Sequence, residues 1–466
     1  VSKLDELDGV WWPVEKGHWA FPLKYEMDKR VYHFGANFVG NSDRGFLKWG
    51  RLFRIGKWLL ETISKSLVGK RRPSGQRSSE ILVDAYFGLE GQLAAAGLNA
   101  VRAPWGTQAV DLSGHLSLVF SVFWFKCLFA VAPYRKFLAS STRLQMDSLR
   151  RRLLSWMEGQ KLQAVLLSNE VAFFEVMAIE CADLLGIPVF ESLHGLPAYY
   201  DKECRPRISN ILVWGPQIKK HLVDGGLASE RIAVVGHPRY ENLASIPLRF
   251  GFDSILLITK MAPSAPVGVD TKFVAVGRDM ALRYLAAIRD VLEQLGIKHV
   301  RVRPHPGERA DWYEEFLDPG FFTLDRLDLP SSLRASTLVI GPTSTVFLEA
   351  LIFGVNYIVY EPRRGGHGDS YFGAPLGPPF DQSDSRVPVA NNCGELRALL
   401  ENGKSVGSGV IEDYIASFST DRLIQALNRG SERMSASQSK VSVGNKAGIK
   451  HEVGMRSTPL TIQDQL

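Results

Sequence analysis

Cysteine is scarce in this chain: four residues in 466, Cys127, Cys181, Cys204 and Cys393, far apart and in no zinc-binding spacing. That excludes a disulfide-built scaffold and a zinc ribbon, and it points to a reducing compartment. No apolar run reaches the ~20 residues of a membrane-spanning helix. The longest, LSLVFSVFWFKCLFAVA from Leu116 to Ala132, carries Lys126 in its middle and reads as a helix that is either buried or interfacial. The first residues lack the charged start, apolar stretch and small-residue cleavage site of a secretory signal, so a cytoplasmic location is expected. No period of solenoid length recurs. Excess charge of one sign is small, +6 from 55 Lys and Arg against 49 Asp and Glu. No nucleic-acid-binding motif accompanies it, so no nucleic-acid partner is expected. The basic clusters Lys70-Arg71-Arg72 and Arg150-Arg151-Arg152 are either solvated surface or contacts for anionic headgroups or an anionic glycolipid. Peripheral contact with an inner membrane is therefore an expectation.

What is present is ordinary globular composition, 45% apolar and 22% charged, in a chain long enough for two domains. Residues 1–75 hold Trp11, Trp12, Trp19 and Trp49 among their aromatics but no clean period, and a strand pair with a helix from Leu47 to Leu67 is the reading there. From Ile81 onward short apolar runs alternate with helical stretches: strands at Ile81–Tyr86, Ala164–Leu167, Val189–Leu193, Ile211–Val213 and Ile232–Val235, with helices such as Glu170–Leu185 between them. A break near Leu243–Ser254 carries Pro247 and Gly251. A second series then begins, with strands at Ile255–Thr259, His299–Arg303, Phe321–Leu324, Leu338–Ile340 and Tyr357–Tyr360, and helices near Cys393–Glu401 and Ile411–Leu427 close the fold. Such alternation specifies parallel sheets built from βαβ units. The expected organisation is α/β: an N-terminal Rossmann-like domain over 1–245, a second over 246–429, and a disordered Ser-, Gly- and Lys-rich tail over 430–466.

Two doubly wound domains in tandem leave a cleft between the carboxyl ends of their strands, so residues at strand tips carry the functional expectations. Arg303-Pro304-His305-Pro306-Gly307 follows one strand, and its prolines forbid continuation and hold His305 at the tip. His305 can donate to a phosphate oxygen, and Arg303 adds a permanent charge; a rigid turn with an incidental histidine is the plain alternative. Thr343-Ser344-Thr345 stand between a strand and a helix, where small hydroxyls serve phosphate binding, N-capping, or both. Glu349, one helical turn on, is a carboxylate in an apolar helix and needs a partner, either ribose hydroxyls or a salt bridge. In the N-terminal half the tips are Asn169-Glu170, His194-Gly195-Leu196-Pro197 and Gly236-His237-Pro238-Arg239. Glu170 reads as a general base for an acceptor hydroxyl or as a helix-start acid, with Asp84 and Glu90 as rival bases. His194 is expected to face the cleft.

Taken together, the junctions resemble the GT-B glycosyltransferase superfamily over roughly Asn169 to Pro362, particularly bacterial enzymes of capsule, lipopolysaccharide and teichoic-acid assembly. HGLP at His194 and GHPR at Gly236 are similar to turns of polymer glycerophosphotransferases and capsule enzymes. RPHP at Arg303 and TST at Thr343 are similar to the histidine–proline and serine/threonine motifs of CMP-sugar-using sialyl- and Kdo transferases. The resemblance implies His305 and Ser344 (or Thr343) as donor-phosphate ligands and Glu349 as a ribose-binding acid. Leu89-Glu90-Gly91 is only a partial match to the acidic base motif of sialyltransferases. The junction at Ser344 also resembles UDP-N-acetylglucosamine 2-epimerases.

The resulting expectation is a metal-independent, cofactor-free glycosyltransferase of surface-polysaccharide synthesis. Its donor is a nucleotide-sugar, CMP-sugar favoured and UDP-sugar the other choice, and its acceptor a glycan or glycolipid. Arg303, His305, Thr343, Ser344, Thr345 and Glu349 would hold the donor, with Glu170 and His194 doing the chemistry. The alternatives are an epimerase, a CDP-polyol phosphotransferase, and a non-catalytic scaffold of the same fold.

Overall fold

The computed structural model describes residues 43–446 together with Leu23 and Glu26. Within that span it leaves out 69–79, 132–135, 198–199, 201–209, 261–277, 363–375 and the positions 86, 138, 242, 244–245, 307 and 309. Runs rich in Val, Ile and Leu bury on both faces when helices cover a parallel sheet from each side. Here they form two six-stranded, all-parallel sheets. The first contains β1 (Glu80–Asp84), β2 (Asn99–Arg102), β3 (Leu162–Leu167), β4 (Val189–Ser192), β5 (Asn210–Val213) and β6 (Ile232–Val234), in the order β2-β1-β3-β4-β5-β6. The second contains β7 (Ile255–Ile258), β8 (Val300–Arg303), β9 (Phe322–Leu324), β10 (Leu338–Gly341), β11 (Asn356–Tyr360) and β12 (Val389–Ala390), in the order β12-β11-β10-β7-β8-β9. The strand order of the second reverses between β7 and β10, which is where a doubly wound sheet opens a crevice at its carboxyl edge. The chain therefore has the two Rossmann-like α/β domains that its alternation specifies.

Helices α1 (Asp43–Val68), α2 (Glu90–Ala95), α3 (Leu116–Val131), α4 (Ser140–Gly159), α5 (Phe173–Leu185) and α6 (Pro216–Asp224) accompany the first sheet. Helices α7 (Arg278–Gln294), α8 (Ala310–Phe316), α9 (Leu329–Arg334), α10 (Val346–Ile352) and α11 (Cys393–Glu401) accompany the second, and α12 (Val410–Tyr414) packs between α6 and α10. Local signals set their ends. Gly186 takes φ +66° after α5, and the Asp328 and Asn392 side chains accept from the Ser331 and Glu395 amides to cap α9 and α11. The long apolar run becomes α3, which buries Leu118, Val119, Val122, Phe125 and Leu128 and leaves Phe120 52% exposed. Among the described residues no helix is long and apolar enough to cross a membrane.

Three expectations change. The helix expected over Ile411–Leu427 breaks into α12 and α13 (Thr420–Lys446). The first helix, expected from Leu47, begins at Asp43; the strand pair and Lys70-Arg71-Arg72 lie outside the described residues. The disordered tail is corrected from 430 to 446, because α13 runs through Lys446, while 447–466 lie outside the described residues. The reason is packing. Leu423, Ala426 and Leu427 bury against Ile81, Val83, Ala164 and Leu166 of the first sheet. Gly430, where a Cβ would come within 2.4 Å of the Phe190 ring, lets the helix lie on β4. One apolar face anchors the helix; the polar composition beyond it hides that anchor in the sequence. The last helix thus returns to the first sheet and ties the domains together.

Candidate active site

The second sheet brings three strand tips side by side. β10, β7 and β8 are hydrogen-bonded neighbours, so their ends lie within about 10 Å of one another at ~4.8 Å per strand. Thr259 and Lys260 follow β7. The Thr259 hydroxyl accepts from the His305 amide at 3.0 Å and donates to Glu308 Oε2, and the His305 amide also reaches Glu308 Oε2 at 2.9 Å. This fixes the loop after β8 against β7. On the other side Lys260 Nζ donates to Thr343 Oγ1 at 2.5 Å and lies 3.4 Å from Glu361 Oε1. Glu361 stands just after β11, fully buried. Its Oε1 accepts from the Thr343 amide at 2.7 Å and from the Thr343 hydroxyl at 2.6 Å. A carboxylate without access to water needs such partners. Its second oxygen, Oε2, has no hydrogen-bond partner among the described residues.

These contacts sort the residues expected to hold a donor. His305 and Thr343 share one corner around Lys260. Desolvation holds the His305 imidazole below its ordinary value; Glu308 opposes this and Lys260 adds to it. Arg303 turns elsewhere: its guanidinium donates to the Leu327 carbonyl at 2.6 Å and to Ser332 Oγ at 3.0 Å, and lies 3.8 Å from Asp325. Its charge serves the β9–α9 connection. Ser344 Oγ accepts from the Val346 amide at 3.2 Å, which fixes the turn that leads into α10. Lys260, Thr259, Glu308 and Glu361 were not singled out from the sequence. The signal was there: each of Lys260 and Glu361 is a charged residue placed directly after, or one residue after, a fully apolar run.

The first sheet presents its tips to the same cleft. The Asn169 side chain accepts from the Val171 and Ala172 amides at 3.1 and 2.9 Å, which stiffens the loop after β3. Glu170 in that loop is only 5% exposed. On the neighbouring tip, His194 Nδ1 lies 3.0 Å from the Ser168 carbonyl. A carbonyl only accepts, so Nδ1 carries the proton and Nε2 is the basic nitrogen of the neutral ring. The next residues meet the other domain. The Leu196 amide donates to Thr345 Oγ1 at 3.4 Å, and a Cβ on Gly195 would stand 2.8 Å from that oxygen. The absence of a side chain at 195 is what permits the approach. A second crossing pairs Arg239 with Glu349 at 4.0 Å. The Glu349 carboxyl is raised by desolvation, against the charges of Arg239 and Arg303. His237 is buried and packs on Trp214, Phe87 and Tyr240. Desolvation, helped by Arg239, lowers it to about 4, and its Nδ1 accepts from the Arg239 amide at 3.2 Å, so it supports the Arg239 turn as a neutral ring.

A carboxyl pair stands at the tip of β1. Asp84, at the end of that strand, accepts from Trp105 Nε1 at 2.6 Å and shares a hydrogen bond with Glu175 of α5. Desolvation, then the Asp84 charge, pushes Glu175 up to about 8; desolvation also raises Asp84, while Trp105, Glu175 and Lys126 hold it down. At neutral pH Glu175 keeps its proton and donates it to Asp84, as two carboxyls in one site must. Asp84 was one of the rival bases expected at a strand tip; Glu175 and Trp105 were not expected.

No family model matches the sequence, and no curated protein matches it. Solved structures to which the chain is similar include S. aureus MnaA in a co-structure with UDP (14% identity, 74% of this chain and 95% of that one, TM-score 0.44). Another is a UDP-GlcNAc 2-epimerase of Methanocaldococcus jannaschii (12% identity, 75% and 99%, TM-score 0.45). A third is Acinetobacter baumannii MurG (12% identity, 78% and 100%, TM-score 0.38).

Proposed function

We propose that the chain is a GT-B glycosyltransferase that moves a sugar from a nucleotide-sugar to a glycan or glycolipid in surface-polysaccharide synthesis. The donor phosphate sits on the second sheet, between His305 and the Thr343–Thr345 turn, beside Lys260. The observation that carries this reading is the contact between the two strand-tip turns: Leu196 on Thr345 at 3.4 Å puts His194 two residues from the point where the hydroxyl turn is met. Lys260 neutralises charge that develops on the leaving phosphate, and the His305 ring donates to it. His194 Nε2 takes the proton of the acceptor hydroxyl, with the Ser168 carbonyl holding the ring in the required tautomer. Glu349, paired with Arg239, is the acid available to ribose hydroxyls. The resemblance in RPHP and TST favours CMP-sugar over UDP-sugar as donor. The chain's own cations supply the neutralisation, so transfer is proposed to proceed without a metal or an added cofactor, and chelator should leave it intact.

The test is His194→Ala in a transfer assay with CMP- and UDP-sugars. General-base catalysis is worth roughly 10²–10⁴, so turnover should fall by about that factor while affinity for the free nucleotide stays put. Unchanged turnover would remove His194 from the chemistry. Conversion of the sugar-nucleotide without any acceptor would replace transfer by epimerisation.

A further inference from the structure

A chamber of about 780 Å³ lies between α1 and α3, next to the segment that follows β2. Its size suits a small-molecule ligand. Four cationic side chains line it, Arg54, Lys57, Lys65 and Lys126, against two carboxylates, Glu26 and Glu61. Lys57 is matched by Glu61 at 3.7 Å. Lys65 donates to the Ala109 carbonyl at 3.1 Å and Lys126 to the Gly106 carbonyl at 2.7 Å, neither of which cancels a charge. Arg54 makes no ion pair among the described residues. The balance of the lining is positive.

The floor supplies a second, independent observation. Trp58 is 4% exposed and lines the chamber, yet its indole N–H has no hydrogen-bond partner among the described residues. Buried donors in folded proteins are nearly always paired. Lys126 Nζ stands 4.2 Å from the centre of the same ring, so a flat apolar surface, an unpaired donor and a cation meet at one point. The chamber also adjoins the carboxyl pair: Lys126 interacts with Asp84, and Glu26 with Glu175. It opens beside the strand tips rather than on the far side of the domain.

We propose that this chamber binds the anionic group, phosphate or carboxylate, of the acceptor glycan, with the Trp58 indole N–H among its donors. The inference rests on the transfer reading above, since it names the acceptor class of that reaction. Trp58 N–H donates to an anionic oxygen, and Lys126, Lys65 and Arg54 neutralise it. Desolvation holds Lys126 down at about 8; a bound anion would favour its charged form, so affinity should fall as pH rises through that value. The same chemistry can arrive on a soluble acidic sugar or on a lipid-borne headgroup. The outer side of α1 leaves Phe53, Leu60 and Leu67 at 74%, 70% and 69% exposure, seven residues apart, which suits the second source.

The experiment is calorimetry on the full chain with three probes: inorganic phosphate, glucuronate, and phosphatidylcholine vesicles with and without phosphatidylglycerol. CMP and UDP are titrated in parallel. Saturable binding is expected, weakened about tenfold or more in Arg54→Gln/Lys65→Gln, which removes two charged contacts, and several-fold in Trp58→Phe, which keeps the ring and removes the donor. Nucleotide affinity should be the same in all three proteins, which also shows that the variants are folded. Preference for the charged vesicles over the soluble probes would assign the anion to a lipid. A wild-type chain that binds nucleotide but none of the probes overturns the proposal, as does undiminished probe binding in Arg54→Gln/Lys65→Gln. Probe binding without any nucleotide binding overturns the acceptor role through the transfer reading, and leaves the chamber as the anion site alone.

Discussion

The two sheets have the same number of strands and the same parallel pairing, yet their carboxyl edges solve opposite electrostatic problems. The second sheet seals a carboxylate, Glu361, and surrounds it with a lysine, a hydroxyl and an amide. That arrangement stiffens the tips of β7, β10 and β11 and presents cationic and hydroxyl groups to the cleft. The first sheet instead sets two carboxyls together and lets them share a proton, with Lys126 and Trp105 beside them. One edge suits an anion that must be held; the other suits hydroxyl groups that must be bound or deprotonated. Under the proposed transfer reading, the asymmetry divides one fold, used twice, into a donor side and an acceptor side.

The largest effect should come from removing the charge on the second edge. Lys260→Ala strands Glu361 in the interior, and breaking a buried pair costs about 3–5 kcal/mol. Urea denaturation should show a loss near that size, much of it recovered in Lys260→Ala/Glu361→Gln, where no charge is left to compensate. A loss under about 1 kcal/mol would mean that the lysine does not neutralise the carboxylate.

On the first edge the effect is one of pH. Glu175 ordinarily titrates near 4.5 and is pushed up to about 8. Between those values the folded chain keeps a proton that the unfolded chain has released, so stability from this group is full below about 4.5 and declines as pH rises through about 8. The slope approaches about 1.4 kcal/mol per pH unit for one proton. Glu175→Gln should flatten it in melts taken from pH 5 to 9. An unchanged slope would show that the carboxyls do not share a proton.

The smallest effect falls on the seam. A methyl at 195 would overlap Thr345 Oγ1, and overpacking of this kind costs roughly 1–3 kcal/mol. Gly195→Ala should lower stability by that amount and slow transfer, and Gly195→Ala/Thr345→Ser, which keeps the oxygen, should not rescue it as well as Gly195→Ala/Thr345→Ala. Equal behaviour of the two double variants would deny the contact.

Most of the architecture was legible because buried parallel strands are short apolar runs, and ten of the twelve appear as such. β2 (Asn99–Arg102) was missed because it is an edge strand, half exposed, with no apolar run. β12 is two residues long. α4 went unread because its apolar positions, from Met146 to Met157, are interleaved with basic residues. The site was legible one tip at a time: His305, Thr343 and His194 stand after strands, as the alternation implied. What joins them was not legible. Lys260 and Glu361 lie 101 positions apart, and only the order β11-β10-β7 makes them neighbours. Arg303 shows the converse, since a residue at the right tip can still turn its charge toward a structural partner such as Asp325.

Titrating the full chain with CMP and UDP beside cytidine and uridine, in wild type and Lys260→Gln, bears most directly on whether the second edge is a phosphate site. The account predicts that at least one nucleotide binds, that the matching nucleoside binds at least about tenfold more weakly, and that Lys260→Gln erases the difference. Nucleotide and nucleoside binding equally, or a difference that survives in Lys260→Gln, would contradict it.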